Sequence, residues 1–554
     1  MKPTAQRQQV LHQLANETFD LVVVGGGITG AGVALDAAAR GLKVALVEKR
    51  DFASGTSSKS TKLIHGGLRY LKNLEIGLVR ESGTERAVVH KIAPHLVRPE
   101  KMILPIIEGG SLGRFTTSMA LWVYDFLADV SGDDKRVMLS KEKTLAHEPL
   151  LRNDILKGGG YYAEYRTDDA RLTIENLKTA IAKGAVVINY VEAVDFSYDD
   201  DHHIVGVNCR NRMQDNEAEF TIATRHVISA AGPWVDELRK ADESMTPTRI
   251  FWSKGVHIVV PHERLPLKQA AYFDVGDGRM IFAIPRLRCT YIGTTDTPYE
   301  GDPNKIPTDK EDVAYLLEAT NAMFPTVNLT ITDVESSWAG VRPLIYQEGK
   351  DATEMSRKDE IFESETGLLS IAGGKLTGYR KMAERILERL GKQLRAEGKK
   401  LASSTTKKIV LTGGPFANFA EVESYEQEIA EQLEAVSLAP TRAAYLVANY
   451  GKQSPSIIAA AQKRSEGTDV ARLAAAEAQW CIDQELALYP LDFFERRSGR
   501  LYFDLPSIAP VLDEVLAVFA ENYGYTEADL SAERERVIDA IKWVSEFEKE
   551  GAKE

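Results

Sequence analysis

Residues 21–30, LVVVGGGITG, constrain this chain more than any other ten. An apolar run from Leu21 to Val24 ends at Gly25, Gly27 and Gly30, in G-x-G-x-x-G spacing. The stretch that follows, AGVALDAAARG, has helical periodicity, and a second apolar run closes on Glu48. The pattern predicts a strand, a tight glycine turn, a helix and a second strand ending in an acid. Gly25 makes the turn, Gly27 lets a pyrophosphate approach the backbone, and Gly30 lets helix and strand pack closely. Free N–H groups at the helix start attract phosphate. Glu48 stands where a carboxylate accepts ribose hydroxyls. It would repel a 2′-phosphate, so the bound dinucleotide reads as NAD or FAD rather than NADP.

At 554 residues the chain has room for about two to four domains. Its 44% apolar and 27% charged content is that of an ordinary globular protein. A net charge of −13 gives no general attraction to nucleic acid or anionic lipid, so no nucleic-acid partner is expected. An anionic substrate must be met by a local cluster of Arg and Lys. Cys209, Cys289 and Cys481 are odd in number and widely spaced, which fits a reducing, cytoplasmic setting without disulfides or a zinc site. The first twenty residues lack the apolar core of a signal peptide. No run approaches the ~18 apolar residues of a membrane-spanning helix, so any membrane contact is expected to be peripheral.

Further along, residues 51–70 read as a loop and 75–98 as helix. Residues 111–130 read as an apolar helix, either in a core or at a membrane interface. Residues 171–184 read as an amphipathic helix ending at Gly184, and AVVINYVEAVDF as one strand. RHVISAAGPWVDEL is a strand ending at Gly232 and then a helix, with Trp234 packing near the cofactor. Several β-rich runs over 250–300 predict an antiparallel sheet. GLLSIAGGKLTGYRKMAERILERL is strand, Gly-Gly turn and helix again. Residues 395–408 read as a linker and 418–554 as a separate helical region. The fold class is therefore α/β. A Rossmann-like dinucleotide domain spans 18–105 and resumes at 160–240 and 335–395. An antiparallel-sheet substrate domain spans 106–159 and 241–334, and a C-terminal helical domain 409–554.

Three further stretches carry chemistry. SSKSTKLIHGGLRYL (57–71) gathers hydroxyls, His65, Arg69 and Tyr70 beside glycines. WAGVRPLI (338–345) sets Arg342 among apolar neighbours, where it either snorkels or binds an anion. IAGGKLTGYR (371–380) exposes backbone N–H groups at Gly373 and Gly374 just before Lys375, which suits an anion or a flavin carbonyl. Asp296 reads as a capping or turn residue at least as readily as a catalytic one. His202 and His203 are adjacent in a solvated turn, without a metal-ligand pattern.

Together these motifs resemble the aerobic, FAD-dependent glycerol-3-phosphate dehydrogenases of the bacterial respiratory type. The matching pieces are DLVVVGGGITGAGVALDAAARGL, SSKSTKLIHGGLRYL, AAGPWVD, KGVHIVV, IGTTDTPYEGDP, WAGVRPL, SRKDEIF and GGKLTGYR, in order from residue 20 to about 380. The resemblance implies FAD as cofactor, sn-glycerol 3-phosphate as substrate and dihydroxyacetone phosphate as product. It implies electron delivery to a membrane quinone, with the protein held peripherally on the inner face of the cell membrane. A homodimer is an assembly that this reading leaves open.

The resemblance further implies cofactor contacts at Gly25, Gly27, Gly30, Glu48, Ser57, Ser58, Gly232, Gly374, Lys375, Leu376 and Thr377. It puts Arg342 and Arg357 on the substrate phosphate, and His65, Arg69, Tyr70 and Lys375 beside the flavin. His257 would lie near the substrate. Either His65 or His257 would serve as base, with Arg342 and Lys375 stabilising developing negative charge. The same resemblance covers glycerol-3-phosphate oxidases, which make hydrogen peroxide. Those tend to carry an inserted segment in mid-chain, and no obvious insertion stands between 250 and 400. A non-catalytic nucleotide-binding protein is the remaining alternative.

Overall fold

In the computed structural model, residues 3–65, 76–110, 136–213, 219–346 and 359–547 are described. The expected helix over 111–130, together with Arg69, Tyr70 and Arg357, lies outside them.

The run Leu21–Val24 (β1) is buried along its whole length, as a central parallel strand must be. After the glycine turn come helix α1 (Ile28–Ala39) and strand β2 (Val44–Val47). Helix α2 (Asp169–Ala182) then leads into β3 (Val186–Ile188), followed by β4 (Val227–Ser229), β5 (Asp359–Glu363), β6 (Leu369–Gly373) and helix α3 (Tyr379–Ala396). The six strands form one sheet in the order β5-β6-β4-β1-β2-β3, parallel except for the edge strand β5. One apolar core joins α1, α2 and α3 to this sheet. A second core packs the N-terminal helix Pro3–Asn16 and an antiparallel meander (Val191–Tyr198, Ile204–Asn211, Glu219–Thr224) against residues of β1 and β2. The result is helices, sheet and meander in three layers.

The large second sheet is mostly antiparallel and contains the β-rich runs of 250–300, as expected. Its membership departs from the expected domain limits. The limit at 105 falls inside strand Arg98–Ile107, and the one at 160 inside Leu156–Arg166; these two strands pair with each other in the large sheet. Ser336–Ile345, expected to return to the dinucleotide domain, pairs instead with Ile250–Pro261 from Ile250↔Ile345 to Val259↔Ser336. Among the described residues, the chain re-enters the dinucleotide sheet at Asp359. A strand's own pattern cannot show which sheet it joins, because the partner is remote in sequence.

Two other expectations change. AVVINYVEAVDF is not one strand: Tyr190, at φ +54°, turns the chain from β3 into the meander. The C-terminal helices, from Phe419–Ala435 to Glu527–Ser545, are not separate, because Leu446, Phe503 and Val515 share one core with Tyr162, Tyr291 and Trp338 of the large sheet. The stretch 395–408 is pinned as well. The Ser404 hydroxyl donates to Asp36 Oδ1 (2.7 Å), and Arg380 Nη1 donates to Thr406 Oγ1 (3.1 Å). Cys209, Cys289 and Cys481 are buried and unpaired. No described helix is long and apolar enough to cross a membrane, and no group of potential metal ligands forms among the described residues.

Candidate active site

A cavity of about 450 Å³ runs from the glycine turn to the large sheet. At one end the predicted dinucleotide cradle is in place. Gly25 sits at φ +112°, where L side chains are strained. A Cβ on Gly30 would stand 1.9 Å from the Gly25 carbonyl oxygen, so helix α1 can begin here only with glycine. Gly27 precedes the first turn of α1, and the Ile28 N–H donates to Ser57 Oγ (2.9 Å). This brings a hydroxyl to the helix N-terminus, where a pyrophosphate would seat. Glu48 accepts the Gly26 N–H (2.7 Å) and the Arg50 N–H (2.9 Å). Burial outweighs these bonds and pushes its carboxyl above the usual carboxylate range.

Trp234 borders the same space. Lys49 and Arg50 lie 4.6 and 4.8 Å from its ring centroid, and its buried indole N–H has no partner among the described residues. A deep cradle with open backbone donors, a ribose-height carboxylate and an orphaned indole N–H fits a dinucleotide such as FAD.

The other end is built from side chains. Arg342 lines the cavity, and its guanidinium donates to Thr294 Oγ1 (2.8 Å), Asp296 Oδ1 (3.3 Å) and the Thr295 carbonyl (3.3 Å). Gly255, on the neighbouring strand, makes room for it, since a Cβ there would lie 2.4 Å from Nη2. The alternative of a snorkelling arginine is not what the strand pairing produces: Arg342 is held by polar groups, the Lys254 carbonyl (3.5 Å) among them. Asp296, which the sequence weighs as a turn residue, also accepts the Ser253 hydroxyl and so fixes the guanidinium from behind.

His65 lines the cavity beside Leu376, Thr377 and Lys375. Thr377 locks its backbone from both sides, accepting the His65 N–H and donating to its carbonyl, each at 3.2 Å. Gly373 and Gly374, both at φ +77°, form the predicted turn ahead of Lys375. His257 is buried behind this wall. Its ring stacks on Trp338 (centroids 4.8 Å apart, planes 11° apart) and Nε2 meets Thr61 Oγ1 at 3.0 Å. Burial first, and then Arg342 and Lys62, hold its imidazole well below the ordinary histidine range, so it is neutral at physiological pH.

Most of the expected residues within the described chain therefore converge: Gly25, Gly27, Glu48, Ser57, His65, Gly232, Arg342, Gly374, Lys375, Leu376 and Thr377 line one cavity. Ser58 departs from expectation. It is buried and donates to the Gly55 carbonyl (3.5 Å) rather than facing the cavity, because the 3₁₀ turn Thr56–Ser58 points neighbouring side chains in different directions. Sequence reasoning passed over Thr56, Lys59 and Thr61, which also line the cavity. Thr56 donates to the Val341 carbonyl (2.7 Å), and Lys59 reaches Glu495 (2.6 Å). Lys59 and Thr61 lie in the 57–71 loop that composition already singles out.

This fold and cavity define a flavin-type oxidoreductase, and residues 20–380 match the family model described as FAD dependent oxidoreductase. Residues 404–530 match a second model, the C-terminal domain of alpha-glycerophosphate oxidase. The aerobic glycerol-3-phosphate dehydrogenases of Staphylococcus aureus strains MRSA252 and NCTC 8325 are each 46% identical over 97% of both chains. The chain thus belongs to the aerobic glycerol-3-phosphate dehydrogenase family of FAD-dependent oxidoreductases. The crystal structure of glycerol-3-phosphate dehydrogenase from Bacillus halodurans complexed with FAD superposes with a TM-score of 0.83, at 39% identity over 98% of each chain. L-alpha-glycerophosphate oxidase from Mycoplasma pneumoniae, at 19% identity and a TM-score of 0.55 over 70% of this chain and 97% of its own, shares the fold.

Proposed function

We propose that this protein oxidises sn-glycerol 3-phosphate to dihydroxyacetone phosphate and delivers the electrons to a membrane quinone. The observation that carries the reading is the single cavity: a dinucleotide cradle at Gly25–Glu48 opens directly onto Arg342, His65 and Lys375. Bound FAD supplies the acceptor for the hydride that leaves C2 of the substrate.

The residues divide the remaining work. Arg342 binds the substrate phosphate; its charge is permanent and its geometry is fixed by Asp296 and Thr294. Arg357 joins it on the strength of the sequence resemblance. His65 takes the C2 hydroxyl proton on an imidazole nitrogen, because it borders the cavity and its backbone is immobilised by Thr377. His257, packed between Trp338 and Thr61, orients the wall behind it. Lys375 stabilises negative charge on the developing alkoxide or the reduced cofactor. Peripheral attachment to the inner face of the cell membrane would give access to quinone.

Anaerobic addition of sn-glycerol 3-phosphate to the FAD-loaded protein should bleach the flavin absorbance, and a quinone should restore it. A flavin band that stays oxidised would mean a different substrate. Oxygen uptake with stoichiometric peroxide would assign the oxidase activity instead.

A further inference from the structure

The C-terminal helical region grips one cavity-lining segment, the loop after β2, through charged side chains. Residues 51–59 leave the carboxyl end of β2 and carry Ser57 to the N-terminus of α1. Both ends of this segment are gripped from the π-helical turn Phe493–Arg497. At its start, the Asp51 carboxylate receives Arg496 Nε (2.6 Å) and both terminal nitrogens of Arg497 (2.7 and 2.9 Å). Asp51 and Arg497 are fully buried. At its end, Lys59 Nζ donates to Glu495 Oε1 (2.6 Å) and also meets the Tyr502 hydroxyl, which itself donates to Glu495 (2.7 Å). Arg496 closes the set by pairing with Glu495 as well. Three consecutive residues, Glu495 to Arg497, thus hold two charges of opposite sign on one cofactor-lining segment. A π-turn is a rare backbone form that recurs at functional sites, and here it presents consecutive side chains to one target.

We propose that Glu495, Arg496 and Arg497, with Tyr502, are positioning residues for the cofactor: they clamp segment 51–59 and set how tightly the dinucleotide is held. The inference rests on the FAD reading of the cavity. None of the four borders the cavity, so their effect passes through Lys59, Asp51 and the Ser57 hydroxyl at the phosphate-binding helix end. The C-terminal region is then part of the cofactor site although it supplies no wall of it. Binding linkage makes the effect reciprocal, so the cofactor must tighten the clamp as much as the clamp tightens the cofactor.

The test compares two isosteric variants of the full chain. Glu495→Gln loosens the clamp; Glu426→Gln removes the partner of Arg98, another bridge between the C-terminal helices and the large sheet that makes no contact with segment 51–59. For Glu495→Gln the FAD dissociation constant of the apoprotein should rise about 5- to 150-fold, the usual range of coupling between sites. The flavin absorbance band should change shape. For Glu426→Gln both should stay as in the wild type, even where thermal stability falls. Combining Glu495→Gln with Lys59→Met should add little beyond either change alone, because each breaks the same link.

In the wild type, FAD should slow amide exchange across 493–503. That measurement stands even if Glu495→Gln does not fold. Unchanged FAD affinity in a folded Glu495→Gln variant, or exchange at 493–503 that is indifferent to FAD, overturns the proposal. A wild-type chain that takes up no FAD overturns the cofactor reading first.

Discussion

The two ends of the cavity are made in different ways. The dinucleotide end is backbone: a glycine turn, the open N–H groups of α1, a second Gly-Gly turn, and one carboxylate at the end of β2. The substrate end is side chains, chiefly Arg342 and His65, presented by the large sheet and by the loop after β2. A backbone site tolerates almost no added volume, while a side-chain site tolerates volume but not loss of charge or proton capacity. On the proposed reading the contrast also separates binding from chemistry: the first end would hold a large cofactor by shape, and the second would handle one phosphate and one proton.

The sharpest break should come at Gly30. A methyl group there would lie 1.9 Å from the Gly25 carbonyl, which belongs to backbone and cannot step aside. Gly30→Ala should abolish FAD binding and cost about 3 kcal/mol or more of stability by overpacking, read by flavin absorbance and denaturant unfolding. A Gly30→Ala protein that keeps its flavin would erase the distinction between the ends.

His65→Asn should retain FAD but lower kcat by about 10²- to 10⁴-fold, the ordinary contribution of a general base. The loss of rate toward acid pH should disappear with it. His257→Asn should leave that acid limb in place, because its imidazole is already neutral far below 6.5. If instead the limb vanishes with His257 and persists without His65, the two roles are exchanged.

Arg342→Ala should leave flavin bound and raise KM by about 10²-fold, through loss of charge-assisted hydrogen bonds to phosphate. Part of any stability loss will come from breaking the ion pair with Asp296. Unchanged KM would remove Arg342 from the phosphate site.

The smallest effect concerns Glu48. Its carboxyl is raised above the ordinary 4.5, first by burial, so folding favours the protonated form. Apoprotein stability from this group is therefore full below 4.5 and declines as pH climbs through the higher folded value. On the proposed reading ribose hydroxyls would donate to the ionised form, so FAD should bind more tightly as pH rises through the same window. Glu48→Gln should flatten both dependences, measured by pH-resolved unfolding and FAD titration.

The same contrast explains what the sequence reveals. Gly25, Gly27, Gly30 and Glu48 are legible because one short stretch contains the whole strand–turn–helix–strand unit, and its spacing is its geometry. The substrate end is assembled by pairings that no local pattern encodes. Arg342 faces the cavity because Ser336–Ile345 joins the large sheet, contrary to the boundary expected at 335. His65 and His257 look equivalent in sequence, and only the fold sets them apart: His65 borders the cavity, while His257 is buried against Trp338. Ser58 looks like Ser57 but is turned inward by the 3₁₀ geometry. Lys59 gives no sign of its partner, because Glu495 lies 436 residues away. The divided strand at Tyr190 is hidden for a related reason: β-propensity is continuous through it, and only a backbone in the left-handed region marks the turn.

That turn has a kinetic meaning. The Glu48 N–H donates to the Ile188 carbonyl of the parallel sheet, while its own carbonyl accepts the Val191 N–H at the first residue of the meander. One peptide on either side of Glu48 therefore buttons two sheets together, and fraying of either along this seam breaks a bond to the residue they share. Cooperative opening units follow such shared hydrogen bonds. The amides of Glu48 and Val191 should exchange at one common rate, that of the two sheets parting together.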